Sequence, residues 1–229
     1  MIEINNCYNC DCKQGMEEML SQGLIADWCI TDPPYGIGVG KMPYSTKGAI
    51  KQGNAISFSR NYNTQGQWDN YQIDGLYFDL MRECSKDQII FGGNYYTDIL
   101  PPTKSWVIWD KRSYSQTDRN DFADCELAWA SKGVARVFHY MYNGMLQDDK
   151  NKDYRFHVTQ KPTQLWVKLL NFYTKPNDLI LDAFAGSQSL RIACWKTGRR
   201  YIGFEIDKDY YDKGTAWFKN VSSQVSFFD

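Results

Sequence analysis

The chain predicts an α/β sandwich built around a mostly parallel sheet. Short apolar runs of three to five residues alternate with longer stretches of helical periodicity along most of its 229 residues. The runs are nearly continuous in apolar character, as strands buried on both faces require. Alternation of strand and helix in this rhythm places helices over both faces of a parallel sheet.

The elements follow in order. Strands are predicted at residues 2–4, 28–31, 88–91, 106–109, 126–130, 179–181 and 201–204. Helical spacing covers 15–21, 71–84, 162–173, 190–197 and 208–220, with Pro162 suited to a first helical position and Gly198 to a helix end. Two regions interrupt the rhythm, the glycine-rich segment 36–67 and the polar stretch 142–157. Loops of that length in a compact domain are usually functional or mobile. No internal repeat occurs, and a single domain over 1–229 is expected.

Composition narrows the class. The hydrophobic fraction of 43% is ordinary for a globular chain, and the aromatic fraction of 16% is high. No basic N-terminal segment leads into an apolar core, and no run approaches about 18 apolar residues. A soluble cytoplasmic protein without membrane contact is expected. The cysteine count of seven is odd, and Cys29, Cys84, Cys125 and Cys194 stand in apolar runs, which suits buried thiols rather than disulfides. Cys7, Cys10 and Cys12 lie close together, but no second Cys/His pair at zinc spacing follows, so no metal is expected. Net charge is −1, yet 36–67 contains no acid and carries Lys41, Lys47, Lys51 and Arg60. Such a segment can hold phosphates, or be an ordinary solvated loop.

Chemistry is expected where strands end, because ligands of open α/β sheets sit at the carboxyl ends of strands. One such end reads Asp32-Pro33-Pro34-Tyr35. Two prolines make a stiff turn with few backbone donors. Its carboxylate and an oriented carbonyl offer two acceptors beside a flat aromatic face, a combination suited to a planar group bearing an amine. The plain alternative is a strand-terminating turn with an exposed acid. The second end reads Asp182-Ala183-Phe184-Ala185-Gly186-Ser187 and runs from strand into helix, where small residues let a ligand approach the backbone closely. Glu205 ends the next strand about 20 residues on, the spacing that serves ribose hydroxyls in nucleotide-like cofactors.

Together these features resemble the DNA amino-methyltransferases in their permuted, beta-type order, where D-P-P-Y precedes the D-x-F-x-G-S-G cofactor motif. The runs 89–96, 106–111 and 122–129 look like small methylases of phages and prophages. The resemblance implies a Rossmann-like methyltransferase sandwich of seven strands, one of them antiparallel, in circularly permuted order. It implies S-adenosylmethionine as cofactor, double-stranded DNA as substrate, and Asp32, Pro33, Pro34 and Tyr35 as the catalytic turn. Asp182, Phe184, Gly186, Ser187 and Glu205 then belong to the cofactor pocket. So do His157, Thr159 and Lys161 of an H-x-T-Q-K-P segment at the methionine end, and Asp11 beside the adenine.

By resemblance, Asp32 and the Pro33 carbonyl accept the two N–H groups of a flipped-out base, and Tyr35 stacks on it. The leading Asp favours N6 of adenine, with N4 of cytosine as the alternative. Carbon methylation of cytosine needs a Pro-Cys nucleophile, and no such pair occurs. The pattern's glycine is replaced here by Gln188, whose side chain either turns outward or obstructs the cofactor, leaving an impaired binding relic as a further alternative. A nicotinamide oxidoreductase leaves D-P-P-Y unexplained. Trp68, Tyr95 and Tyr114 are candidates to face the base or the groove, while His139 reads as structural. The host is then a bacterial or phage-infected cell; a homodimer and a restriction endonuclease partner are left open.

Overall fold

The computed structural model describes residues 1–37, 72–112, 123–143, 146–147, 153–157 and 159–224. Ten strands and five α-helices occur among them: β1 (Asn6–Tyr8), α1 (Cys12–Ser21), β2 (Ala26–Thr31), α2 (Gly75–Glu83), β3 (Ser85–Phe91), β4 (Trp106–Asp110), β5 (Cys125–Ala130), β6 (Arg136–His139), β7 (Tyr142–Asn143), β8 (Leu146–Gln147), α3 (Thr163–Tyr173), β9 (Leu179–Asp182), α4 (Ser189–Lys196), β10 (Arg200–Phe204) and α5 (Lys208–Gln224).

Eight strands form one sheet in the order β1-β10-β9-β2-β3-β5-β4-β6, and β7 and β8 form a separate hairpin. Only β5 runs antiparallel to its neighbours, pairing Ile89 with Ala130 on β3 and Trp109 with Glu126 on β4. The expectation of one reversed strand holds. The expected seven strands become eight because β6 was not foreseen. That strand mixes Arg136 and His139 with Val137 and Phe138 and is half exposed at the sheet edge, so no continuous apolar run announces it. The first strand is also misplaced: it begins after Asn5 rather than at residues 2–4. Asn5 takes a left-handed turn (φ 70°), and its amide donates to the Tyr201 carbonyl at 2.6 Å, so parallel pairing with β10 starts only beyond it.

The sheet separates two apolar layers. On one face, Leu165, Trp166, Leu169 and Leu170 of α3 and Leu190 and Ala193 of α4 cover Trp28, Ile30, Ile89 and Ile180. On the other, Met16 and Met19 of α1 and Phe78, Leu80 and Met81 of α2 cover Cys29, Ile90, Leu181 and Ile202. Asp11 and Asp74 cap α1 and α2, each accepting from a backbone amide two residues on. Pro162 takes the cap position of α3, one residue before the first helical one. Of the four cysteines expected to be buried, Cys125 is exposed because it opens β5 at the rim of the sheet. No helix among the described residues is long and apolar enough to cross a membrane, and no group of three acids, histidines or cysteines there could hold a metal.

Candidate active site

The carboxyl ends of β1, β10, β9, β2, β3 and β4 share one edge of the sheet, and the reversed β5 brings its beginning to that edge. A cavity of about 490 Å³ opens there. Asp11, His157, Thr159, Lys161, Asp182, Phe184, Gly186, Ser187 and Glu205 line it, together with Asp32 and Pro34. Segments from the two ends of the described chain therefore meet around one space large enough for a nucleoside-sized ligand.

Beyond β2, Tyr35 folds back so that its hydroxyl donates to Asp32 Oδ1 at 2.5 Å. The Tyr96 hydroxyl donates to the Pro34 carbonyl, whereas no donor among the described residues reaches the Pro33 carbonyl. Tyr35 stacks on Tyr95 with ring centroids 4.9 Å apart and planes 20° apart. Gly92 makes this possible. It has φ 66°, and a Cβ placed on it would stand 2.0 Å from the Tyr35 ring.

Asp32 does not stand alone. Lys161 donates to its Oδ2 and lies 3.3 Å from Glu126 Oε2, and Lys111 donates to Glu126 Oε1 at 3.0 Å. Four charges of alternating sign thus run from the end of β4 to the Asp32 turn. Burial pushes the Asp32 carboxyl up, and Lys161 limits the rise. Burial works the same way on Glu126, but Lys161 and Lys111 together hold its carboxyl below the usual range. The Lys161 ammonium is kept charged against burial by the two carboxylates. It also lies 4.7 Å from the Phe91 ring centre.

Across the cavity, Gly186 donates its amide to Glu205 Oε2 at 2.6 Å, and Asp207 donates to Oε1 at 2.8 Å. Burial still raises the Glu205 carboxyl to about 7. Asp182 is fixed from both sides by the hydroxyls of Thr31 (3.0 Å) and Tyr201 (3.3 Å), and burial raises it to about 7. The Thr31 oxygen also accepts the Phe184 amide at 3.1 Å. His157 packs on Tyr210 with ring centres 4.1 Å apart, and burial depresses its imidazole to about 3, so it is neutral.

The DNA methylase family N6_N4_Mtase matches residues 95–216. The chain belongs to this family. It is 23% identical over 197 residues to the type II methyltransferase M1.MboII of Moraxella bovis, a match covering 85% of this chain and 63% of that protein. It thus spans less than two thirds of that relative's length. Its fold matches that of M1.HpyAVI in complex with SAM, with TM-score 0.55, 24% identity and 93% and 98% of the two chains covered. The cytosine-N4-specific PvuII DNA methyltransferase superposes with TM-score 0.54 at 13% identity, covering 97% and 92%.

Every residue expected around the cofactor lines this cavity, but several already have partners: Asp11 caps α1 and Glu205 accepts two backbone amides. Asp182 uses its carboxylate to tie β9 to β2 and β10, and Lys161 holds Asp32. Gln188 does not reach the cavity. It adopts φ 59°, and its amide donates to the Tyr211 carbonyl (3.0 Å) and the Thr215 hydroxyl (3.1 Å) of α5 while accepting from Arg191 (3.0 Å). The obstruction feared from its side chain is absent. Tyr95 stacks on Tyr35 of the Asp32 turn; Trp68, Tyr114, Lys41, Lys47, Lys51 and Arg60 lie outside the described residues. Sequence reasoning passed over Glu126. Its signal was an acid embedded in the apolar run Cys125-Glu126-Leu127-Ala128-Trp129-Ala130, a place where a charge needs partners.

Proposed function

We propose that this methylase transfers a methyl group from S-adenosylmethionine to the exocyclic amine of a flipped-out base in double-stranded DNA, with N6 of adenine as the target. The observation that carries the reading is the meeting of Asp32 and Pro34 with Gly186 and Glu205 around one cavity. The cavity fits the cofactor in volume and in donors. Glu205 is positioned for ribose hydroxyls, Asp11 and Phe184 stand at the nucleoside end, and His157, Thr159 and Ser187 line the remainder. When bound, S-adenosylmethionine supplies an electrophilic methyl group on a positively charged sulfur.

The amine of adenine is a poor nucleophile because its lone pair is shared with the ring. Asp32 and the Pro33 carbonyl, accepting its two N–H groups, favour the pyramidal nitrogen whose lone pair points at the methyl. Acceptors fixed beforehand by a proline turn stabilise that geometry more than the planar ground state. Tyr35 supplies a stacking face that recovers part of the unstacking cost. The leading Asp supports adenine over cytosine by the family resemblance. The side chain of Gln188, turned towards α5, argues against an impaired relic. Segments 36–67 and 142–157 are assigned to DNA contact within a single domain, and neutralising Lys41, Lys47, Lys51 and Arg60 together is expected to flatten the salt dependence of DNA binding. The beta-type order of the motifs, a phage or prophage origin and action in the cytoplasm complete the reading.

The test is incorporation of labelled methyl into duplex DNA, with the modified base and its context read by long-read sequencing. Methylated adenine is expected. Asp32→Ala is expected to abolish transfer while leaving S-adenosylmethionine binding intact by calorimetry, and near-normal turnover by that variant would sink the assignment. Methyl on cytosine N4 would correct the base while leaving the catalytic turn in place.

A further inference from the structure

The function proposed above uses Asp32, but a carboxylate in this position faces two opposing hazards. Enclosed by apolar groups it takes up a proton and loses acceptor strength. Locked in a close pair with one ammonium it stays charged, but its lone pairs and charge are spent on that partner. The arrangement at the head of β5 addresses both. Lys161 reaches Asp32 on one side and Glu126 on the other, and Glu126 is tethered in turn by Lys111. The Lys161 side chain is only 4% exposed, so its two partners, rather than water, decide where its charge acts.

Resting on that reading, we propose that Glu126 is a positioning residue for the transfer: by sharing the Lys161 ammonium with Asp32, it leaves Asp32 charged yet able to accept the incoming amine. The reversed direction of β5 is what permits this. Glu126 is the second residue of the strand and pairs with Trp109, next to the end of β4, so it stands at the catalytic edge. In a parallel strand the same position would lie at the opposite edge of the sheet.

The groups acting on Asp32 come from four elements. Tyr35 donates from its own turn, Lys161 from the segment before α3, Glu126 faces it from β5 and Asp182 from β9. Lys161 favours the charged carboxylate and Glu126 disfavours it. The two neighbours therefore carry opposite signs, which gives the inference a signature that misfolding cannot imitate. Removing Lys161 raises the pH at which Asp32 ionises. Removing the Glu126 charge lowers it.

The experiment follows the Asp32 carboxyl by carbon NMR titration, its resonance identified with Asp32→Asn, in the wild type, Lys161→Met and the near-isosteric Glu126→Gln. The pH dependence of kcat on duplex DNA is measured in parallel. Shifts of opposite direction are expected, each of about 1 pH unit, with the acid limb of kcat moving the same way and the maximal rate of Glu126→Gln reduced at least several-fold. Should Lys161→Met fail to fold, Glu126→Gln decides alone, a downward shift supporting the inference. Unmoved titrations overturn it, and so do moved titrations that the kcat limb does not follow. Absence of methyl transfer by the wild-type protein overturns the proposed function as well, whereas transfer with unmoved limbs overturns the role of Glu126 alone.

Discussion

Gln188 holds a left-handed backbone that costs an L-residue about 1–2 kcal/mol relative to glycine. Its side chain offsets that cost. It is fully buried, and it bonds Tyr211, Thr215 and Arg191, tying the cofactor turn to the final helix. Gln188→Gly relieves the backbone but leaves the buried Arg191 guanidinium short of a partner, at about 1–3 kcal/mol for that group. Thermal unfolding is expected a few degrees lower, with S-adenosylmethionine affinity unchanged within twofold by calorimetry. A several-fold tightening would show that the side chain does obstruct the pocket. At this scale the sequence was legible where a residue's role is local. Asp32, Gly186 and Glu205 announce themselves by following strands. Gln188 could be seen as a departure from a glycine, but the direction of its side chain depends on α5, which packs from more than twenty residues away. Lys161 was expected at the methionine end of the cavity, and it lines that cavity while also bonding Asp32 and Glu126, a pairing that nothing local announces.

Between elements, the fit of α4 against α5 makes a sharper statement. Gly214 lies inside α5, where alanine would ordinarily stabilise a helix by about 1 kcal/mol. A Cβ there would stand 2.8 Å from the Gln188 amide nitrogen. Gly214→Ala is therefore expected to destabilise the wild-type protein and to stabilise the Gln188→Gly variant. A double-mutant cycle by chemical denaturation should yield a coupling of at least 1 kcal/mol. Additive effects would mean that the two helices do not share this contact. The helices were readable because their apolar spacing and caps are written within one segment. All five lie within a few residues of expectation. Strands were readable when buried on both faces. The edge strand β6 was not, since half its residues face solvent and its pairing with β4 is a tertiary fact.

The whole molecule binds protons in an unusual place. Asp182 and Glu205 are each raised to about 7, so the folded state holds protons that the unfolded chain releases near pH 4. Their contribution to stability is full below pH 4 and is lost as pH rises through 7. His157 opposes them only below about pH 6.5, where the unfolded imidazole gains a proton that the folded one refuses. Between pH 6.5 and 8 the two acids dominate. The ligand-free protein is expected to lose several degrees of Tm over that interval, and Asp182→Asn to show a shallower slope, both by thermal unfolding. A Tm that climbs across the same interval would contradict the burial of these carboxyls.

The pairing of β2 with β9 fixes an order of events during synthesis. Trp28 lies beside Ile180 and Cys29 beside Leu181, and β1 finds its partner only when residues 202–204 exist. A ribosome that has released the first 150 residues has made β2 through β8 and the whole Asp32–Tyr35 turn. It has not yet made the glycine turn or Glu205. The growing chain then carries an unpaired β2 edge, a template for wrong partners until β9 arrives. It also carries the Asp32 turn beside a cavity that lacks one wall. The two walls of the cavity are therefore made at different times: the Asp32 turn comes early in synthesis, and the Gly186 turn and Glu205 come late.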